Sequence, residues 1–223
     1  MTAEKASTGN SALDDLMGGG LERKVLTQIF GEPASGKSTL CIMAAVNCLK
    51  SGKGVIFMDS EGFSIERFRQ VAGADAQDLA RDLYLFEPED FDQQGAMIGR
   101  METVLKGGQI GLIVMDSATG LYRTRLDKGK EAMQKLTRQV IHLLGYAKRY
   151  QIPVLITNQV YMDLKKNMFA GLGGTALEHI SKVILRTERL NSHRRCTLVK
   201  HRSRPGGTSF DFIMVDRGIQ TIP

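Results

Sequence analysis

The chain has little that would mark a membrane protein, a secreted protein or a metal-cluster protein. No run of eighteen or more apolar residues occurs in its 223 residues, which leaves no candidate membrane-spanning helix. The opening stretch MTAEKASTGN lacks the apolar segment of a secretory signal. The three cysteines, Cys41, Cys48 and Cys196, form neither a C-x-x-C pair nor a ligand cluster, and their odd number argues against a disulfide framework. A cytoplasmic protein with reduced, buried thiols is expected, and Cys41 and Cys48, seven apart in a helical stretch, should share its core-facing side. Internal repeats, low-complexity tracts and long linkers are also missing, so one domain over residues 1–223 is the simplest organisation.

Charge is present and unevenly spread. The formal net charge is +6 and the pI about 9.3, which favours an anionic partner. Between Ala74 and Asp92 the acids Asp75, Asp78, Asp82, Glu87, Glu89, Asp90 and Asp92 face the single base Arg81. Between Arg186 and Arg204 the bases Arg186, Arg189, Arg194, Arg195, Lys200, Arg202 and Arg204 face the single acid Glu188. Either run could be no more than a solvated face.

Apolar runs alternate with helical patterns. VLTQIF (25–30), GVIFMD (54–59), LYLF (83–86), GLIVMD (111–116) and PVLITNQ (153–159) read as buried strands. Between the last two, Met133, Leu136, Val140, Leu143, Leu144 and Ala147 make one helical apolar stripe. Near-continuous apolar strands joined by helices predict a mostly parallel sheet covered on both faces. KVILRT, RCTLVK and FDFIMV follow with short breaks and no room for helices, so they should add antiparallel strands at one edge. The fold class is α/β with a mixed sheet.

The segment Gly31-Glu32-Pro33-Ala34-Ser35-Gly36-Lys37-Ser38 fits G-x-x-x-x-G-K-[ST] between a strand and a helix. Such a loop turns main-chain N–H groups and a helix N-terminus toward phosphate oxygens. Lys37 would reach the β- and γ-phosphates of ATP, Ser38 would ligate Mg2+, and Thr39 completes the nucleotide-binding run. Asp116, a lone acid closing an apolar strand, is the natural carboxylate for that Mg2+. Glu61 and Gln159, just beyond two other strands, are candidates to orient water and meet the γ-phosphate; spacing alone assigns neither role, and a capping acid and a loop amide are the plain alternatives.

In this order the pieces resemble the core ATPase domain of the RecA family, in its archaeal and eukaryotic recombinase branch. The likeness runs through STGNSALDDLMGGGLERKVLTQIFGEPASGKS, MDSEGFSIERF, VMDSATGLYRTR and ITNQV. It implies that Glu61 activates water, that Gln159 reports the γ-phosphate toward a second DNA loop before Gly173, and that Arg67 packs on the nucleotide base. A surface helix residue is the alternative for Arg67. Relative to filament-forming members, the N-terminal helical DNA-binding domain and the phenylalanine motif of the linker are missing. The chain therefore looks like an archaeal recombinase paralogue, for which filaments of the usual kind are not expected but a homo-oligomer remains open.

That likeness also gives the cationic segment a reading. Lys200-His201-Arg202 is similar to the Lys-x-Arg finger that related domains offer to a neighbour's γ-phosphate, and alternate strand positions should put Lys200 and Arg202 on one face. The same cations could instead extend a DNA-backbone surface with Arg194, Arg195 and Arg204, or end in solvent. The first DNA loop, with Arg123, Arg125, Lys128 and Lys130 and with Tyr122 to stack a base, suits single-stranded DNA, since no helix reads as a groove-entering element. The implied function is an ATP-binding, weakly hydrolysing accessory of recombination and repair, partnered by DNA and the main archaeal recombinase or other repair proteins. The alternatives are a KaiC-like nucleotide switch acting through proteins without DNA, and a nucleotide-binding subunit without turnover.

Overall fold

A computed structural model describes residues 5–163 and 168–222. In chain order it contains β1 (Lys5–Ala6), α1 (Ser11–Leu16), β2 (Leu21–Glu22), β3 (Leu26–Gly31), α2 (Lys37–Lys50), β4 (Gly54–Asp59), α3 (Ile65–Ala72) and α4 (Ala76–Leu79). Then come β5 (Leu83–Phe86), α5 (Phe91–Gly107), β6 (Ile110–Asp116), α6 (Gly129–Tyr150), β7 (Val154–Asn158), β8 (Val160–Asp163), β9 (Met168–Gly171) and α7 (Gly174–Ile180). The last four strands are β10 (Val183–Arg189), β11 (Arg194–Lys200), β12 (Ser209–Val215) and β13 (Gly218–Ile222).

Nine strands form one sheet in the order β13-β12-β11-β10-β3-β7-β6-β4-β5. Strands β10, β3, β7, β6, β4 and β5 are parallel, and β11 to β13 are antiparallel. Each of the three C-terminal apolar runs is antiparallel to the next, as expected. The first of them, β10, runs parallel to β3, because α7 supplies the crossover that returns the chain to the same edge. A fourth run, β13, and the small β1–β2 and β8–β9 pairs were not expected, each being short or polar. Residues 164–167 of the second loop lie outside the described residues.

Alternation along the strands sends side chains into two cores. Leu112 and Val114 join α2 and α3 on one face, and Ile113 and Met115 join α5, α6 and α7 on the other. Helix α2 is buried at ten of its fourteen positions. Cys41, Cys48 and Cys196 are free and buried, and burial raises their thiols, Cys48 to about 11 and Cys196 to about 12. No helix among the described residues is long and apolar enough to cross a membrane.

Helix starts separate structure from site. Ser64 caps α3 by accepting from Arg67 N, and Asp90 caps α5 by accepting from the N–H groups of Asp92 and Gln93. Helix α2 has no side-chain cap: its N-cap is Gly36 at φ 103°, and its first-turn N–H groups are left for another acceptor.

Candidate nucleotide site and nucleic-acid interface

The phosphate loop leaves β3 at the centre of the sheet, where ligands collect in open α/β folds. A Cβ on Gly31 would overlap the Thr187 carbonyl oxygen and lie 2.5 Å from Thr187 Oγ1, so only glycine lets β10 run this close. The loop is clamped from β10 and β11. Ser35 Oγ lies 2.7 Å from Thr187 Oγ1, Arg189 N donates to Glu32 Oε1 at 2.7 Å, and Arg194 Nε donates to Ala34 O at 3.0 Å. Ala34 is left-handed at φ 59°, and Phe212 and Met214 of β12 close over Gly36. Sequence spacing held no signal for this clamp, since its members lie more than 150 residues from the loop.

Lys37 folds its ammonium back onto Gly31 O at 2.9 Å and Glu32 O at 3.0 Å. Burial lowers its pKa, and Asp116 and Glu61 oppose that shift. Ser38 is exposed, whereas Thr39 turns into the core at 7% exposure. Asp116 is 4% exposed; burial raises its carboxyl, while bonds from Thr157 Oγ1 and Ser38 draw it down. A buried carboxylate bonded to an exposed hydroxyl at the mouth of an uncapped helix fits a phosphate-bound divalent cation, which takes hard oxygen donors.

Glu61 and Gln159 meet beside this pair. Gln159 Nε2 donates to Glu61 Oε1 at 2.9 Å, and Ser117 Oγ donates to the same oxygen at 2.7 Å. Asp59, paired across the strands with Asp116, accepts from Glu61 N at 2.9 Å and Gly62 N at 2.5 Å. Burial and the neighbouring Asp116 push Asp59 up to about 6. Gln159 O in turn accepts from Leu172 N at 2.8 Å, and Gln159 N donates to Thr119 Oγ1 at 2.9 Å. One residue therefore links the nucleotide edge to the β8–β9 hairpin.

Three expectations need correction. Tyr122, expected to stack a base, is 4% exposed with its ring packed edge-on to Phe91 at 5.8 Å; burial of a large ring outweighs its display. Its segment, Tyr122–Lys128, is two short 3₁₀ turns that meet at a kink at Arg125. Arg67, expected over the base, donates to Gly218 O at 2.8 Å, Asp216 O at 3.4 Å and Gln70 Oε1 at 3.0 Å, drawn by the carbonyls of the β12–β13 turn. Lys200 and Arg202 do not share a partner face. Lys200 caps the end of α7 through Glu178 O and Ser181 O, and Arg202, beyond the end of β11, is paired with Glu22.

Both of these cations lie at the edge opposite their own phosphate loop: Lys200 pairs with Ile184 at the start of β10, and Thr187 at its end pairs with Gly31. Most of the rest of the basic run also has side-chain partners within the chain. Arg186 meets Glu188 at 3.0 Å, Arg195 meets Asp211 at 2.7 Å, and Arg204 donates to Asp15 O at 2.8 Å. On the first loop Arg123 is exposed, Lys128 lies 4.0 Å from Asp127, and Arg125 lies 3.1 Å from Asp92, while Lys130 is exposed in the first turn of α6.

This sheet, an uncapped helix behind a glycine-bounded loop, and the acids at the ends of β4 and β6 define a RecA-like phosphate-loop protein. The Rad51 family model matches residues 3–221, and the chain belongs to that family. It is 61% identical to the DNA repair and recombination protein RadB of Methanoculleus marisnigri over the full length of both chains. It is 42% identical to the protein of the same name from Methanococcoides burtonii, over 93% of this chain and 94% of that one. The crystal structure of the RadB recombinase superposes with a TM-score of 0.85 at 36% identity, covering 98% of this chain and all of the other.

Proposed function

We propose that the chain binds ATP, hydrolyses it slowly, binds DNA with a preference for single strands, and assists the main recombinase in recombination and repair. The carrying observation is the convergence of Lys37, Ser38, Asp116 and Glu61 at the ends of β3, β6 and β4, with Gln159 bonded to Glu61. The name of its relatives, DNA repair and recombination protein, supports the setting. Loop N–H groups and Lys37 hold and orient the phosphates. Bound Mg2+, held through Ser38 with Asp116 behind it, would neutralise charge on them. Glu61 is fixed through Oε1 by Ser117 and Gln159, which leaves Oε2 to take a proton from water.

Slow turnover is supported by where the second cation lies. Lys200 and Arg202 stand at the sheet edge away from their own phosphate loop and are engaged within the chain, so neither completes its own site, and to serve a neighbour's site Lys200 must first leave the end of α7 and Arg202 must leave Glu22. Arg123, Arg125, Lys128 and Lys130 support a phosphate-tracking DNA surface, and Gln159, bridging Glu61 and the β8–β9 hairpin, supports its coupling to nucleotide. One observation favours the second reading, a nucleotide switch acting through proteins: the basic run 186–204 is largely spent on partners within the chain.

The test is ATP hydrolysis against protein concentration for the wild type and Lys37→Ala. Slow turnover that rises with concentration and vanishes in the variant supports the proposal. Fast turnover independent of concentration overturns the neighbour's role, and nucleotide binding with no turnover leaves a binding subunit only.

A further inference from the structure

The first loop is tied down by an acid from a neighbouring helix. Asp92, in the first turn of α5, places Oδ2 3.1 Å from Arg125 NH2 and Oδ1 against Lys135 Nζ. Lys135 also lies 5.9 Å over the ring of Phe91, which in turn packs edge-on to Tyr122. Phe91, Asp92, Arg125, Lys128, Glu131 and Lys135 line a cleft of about 90 Å³.

A carboxylate gripped by a guanidinium from one element and an ammonium from another is an anion in an anion site. A phosphodiester asks for the same two donors in the same fork. The backbone of Asp92 is fixed, since its N–H donates to Asp90 Oδ1 at 2.7 Å, so vacating the site requires only the side chain to swing.

We propose that Arg125 and Lys135 form a seat for one backbone phosphate of a nucleic-acid strand, and that Asp92 is its internal occupant, displaced when the strand arrives. This rests on the DNA-binding reading above and adds Lys135 and a gate to it. The gate is shallow. Asp92, Arg125 and Lys135 are 56%, 41% and 45% exposed, and ion pairs that open to water are weak. A lone phosphate carries little more charge than the aspartate and gains little by replacing it. A strand displaces it because Arg123, Lys128 and Lys130 engage neighbouring phosphates in the same event.

The test uses the full chain and a fluorescent single-stranded oligonucleotide at about 50 mM salt, where phosphate contacts dominate. Asp92→Asn should bind roughly three- to tenfold more tightly than wild type. The Arg125→Gln, Lys135→Gln pair should weaken binding about tenfold or more, and adding Asp92→Asn to that pair should change it less than about twofold, because the carboxylate then masks nothing. Loss of any negative charge tightens DNA binding somewhat. Asp78→Asn, in α4 on the opposite face and likewise paired with an arginine, measures that general effect and should stay within about twofold. The gate is overturned if Asp92→Asn matches Asp78→Asn, or if its full effect survives in the Arg125, Lys135 background. If no protein in the set binds, the DNA-binding reading itself fails and the gate falls with it.

Discussion

Replacing Gly31 by alanine tests whether the C-terminal strands hold the phosphate loop in shape. The added methyl would overlap the Thr187 carbonyl and meet Thr187 Oγ1 at 2.5 Å and Ser35 Oγ at 2.9 Å. None of these three atoms can rotate aside cheaply: the carbonyl is ladder backbone, and the two hydroxyls are bonded to each other at 2.7 Å inside the core. Relief therefore means parting the ends of β3 and β10. Overpacking of this kind costs about 1–3 kcal/mol, and loss of the Ser35–Thr187 bond and one ladder bond adds about 1 kcal/mol each. A total near 3–5 kcal/mol lowers the melting temperature of a chain this size by about 6–20 °C. Thermal unfolding by circular dichroism measures the first effect, and binding of a fluorescent ATP analogue measures the accompanying loss at the loop. Gly36→Ala meets the Phe212 ring at 3.2 Å and Met214 Sδ at 3.6 Å, stands at φ 103°, and should cost less, about 1–2 kcal/mol. A Gly31→Ala protein that melts within about 2 °C of wild type and binds the analogue equally well would refute the clamp.

Other substitutions separate structural roles from chemical ones. Tyr122→Ala should cost about 3 kcal/mol and Tyr122→Phe almost nothing, read from melting curves; an alanine variant that melts like wild type yet loses DNA affinity would restore Tyr122 as a stacking residue. Glu61→Gln should cut ATP hydrolysis roughly a hundredfold or more while nucleotide affinity holds within a few fold, because the amide oxygen still accepts from Ser117; equal losses in both would make Glu61 a binding residue. His201 has a fully buried side chain, and burial lowers its pKa from 6.5 against the opposing pull of Glu22. The unfolded chain then takes up more protons than the fold near pH 6, so this stability is present above 6.5 and is lost as the pH falls. Melting temperature should drop between about pH 7 and 5, and His201→Asn should flatten that slope; an unchanged slope removes His201 as the cause.

Local signals were readable in the chain where they were continuous. The apolar run GLIVMD announced both a buried strand and a single acid at its end, and the loop between β3 and α2 carried its own spacing. What stayed hidden depends on approach between distant segments. Thr157 on Asp116, Ser117 on Glu61 and Arg194 on Ala34 are each 41 or more residues from their partners, or set by the path of a turn. Tyr122 looked available because its neighbours are polar, yet α5 brings Phe91 against it. Strand periodicity put Lys200 and Arg202 on one face, but β11 ends at Lys200 and the bend beyond it carries Arg202 to Glu22. The acidic run could be read as no more than a solvated face, whereas its Asp92 lies against Arg125 and Lys135.

Coupling between the nucleotide edge and DNA is the central claim, and binding of a labelled single-stranded oligonucleotide across a salt series tests it most directly. The series is run without nucleotide, with ADP and with a non-hydrolysable ATP analogue. The account predicts affinity that falls steeply with salt and shifts with the nucleotide, and a shift that disappears in Gln159→Ala, which cuts the link from Glu61 to the β8–β9 hairpin. Binding that is identical in all three nucleotide states, or absent at the lowest salt, would contradict it.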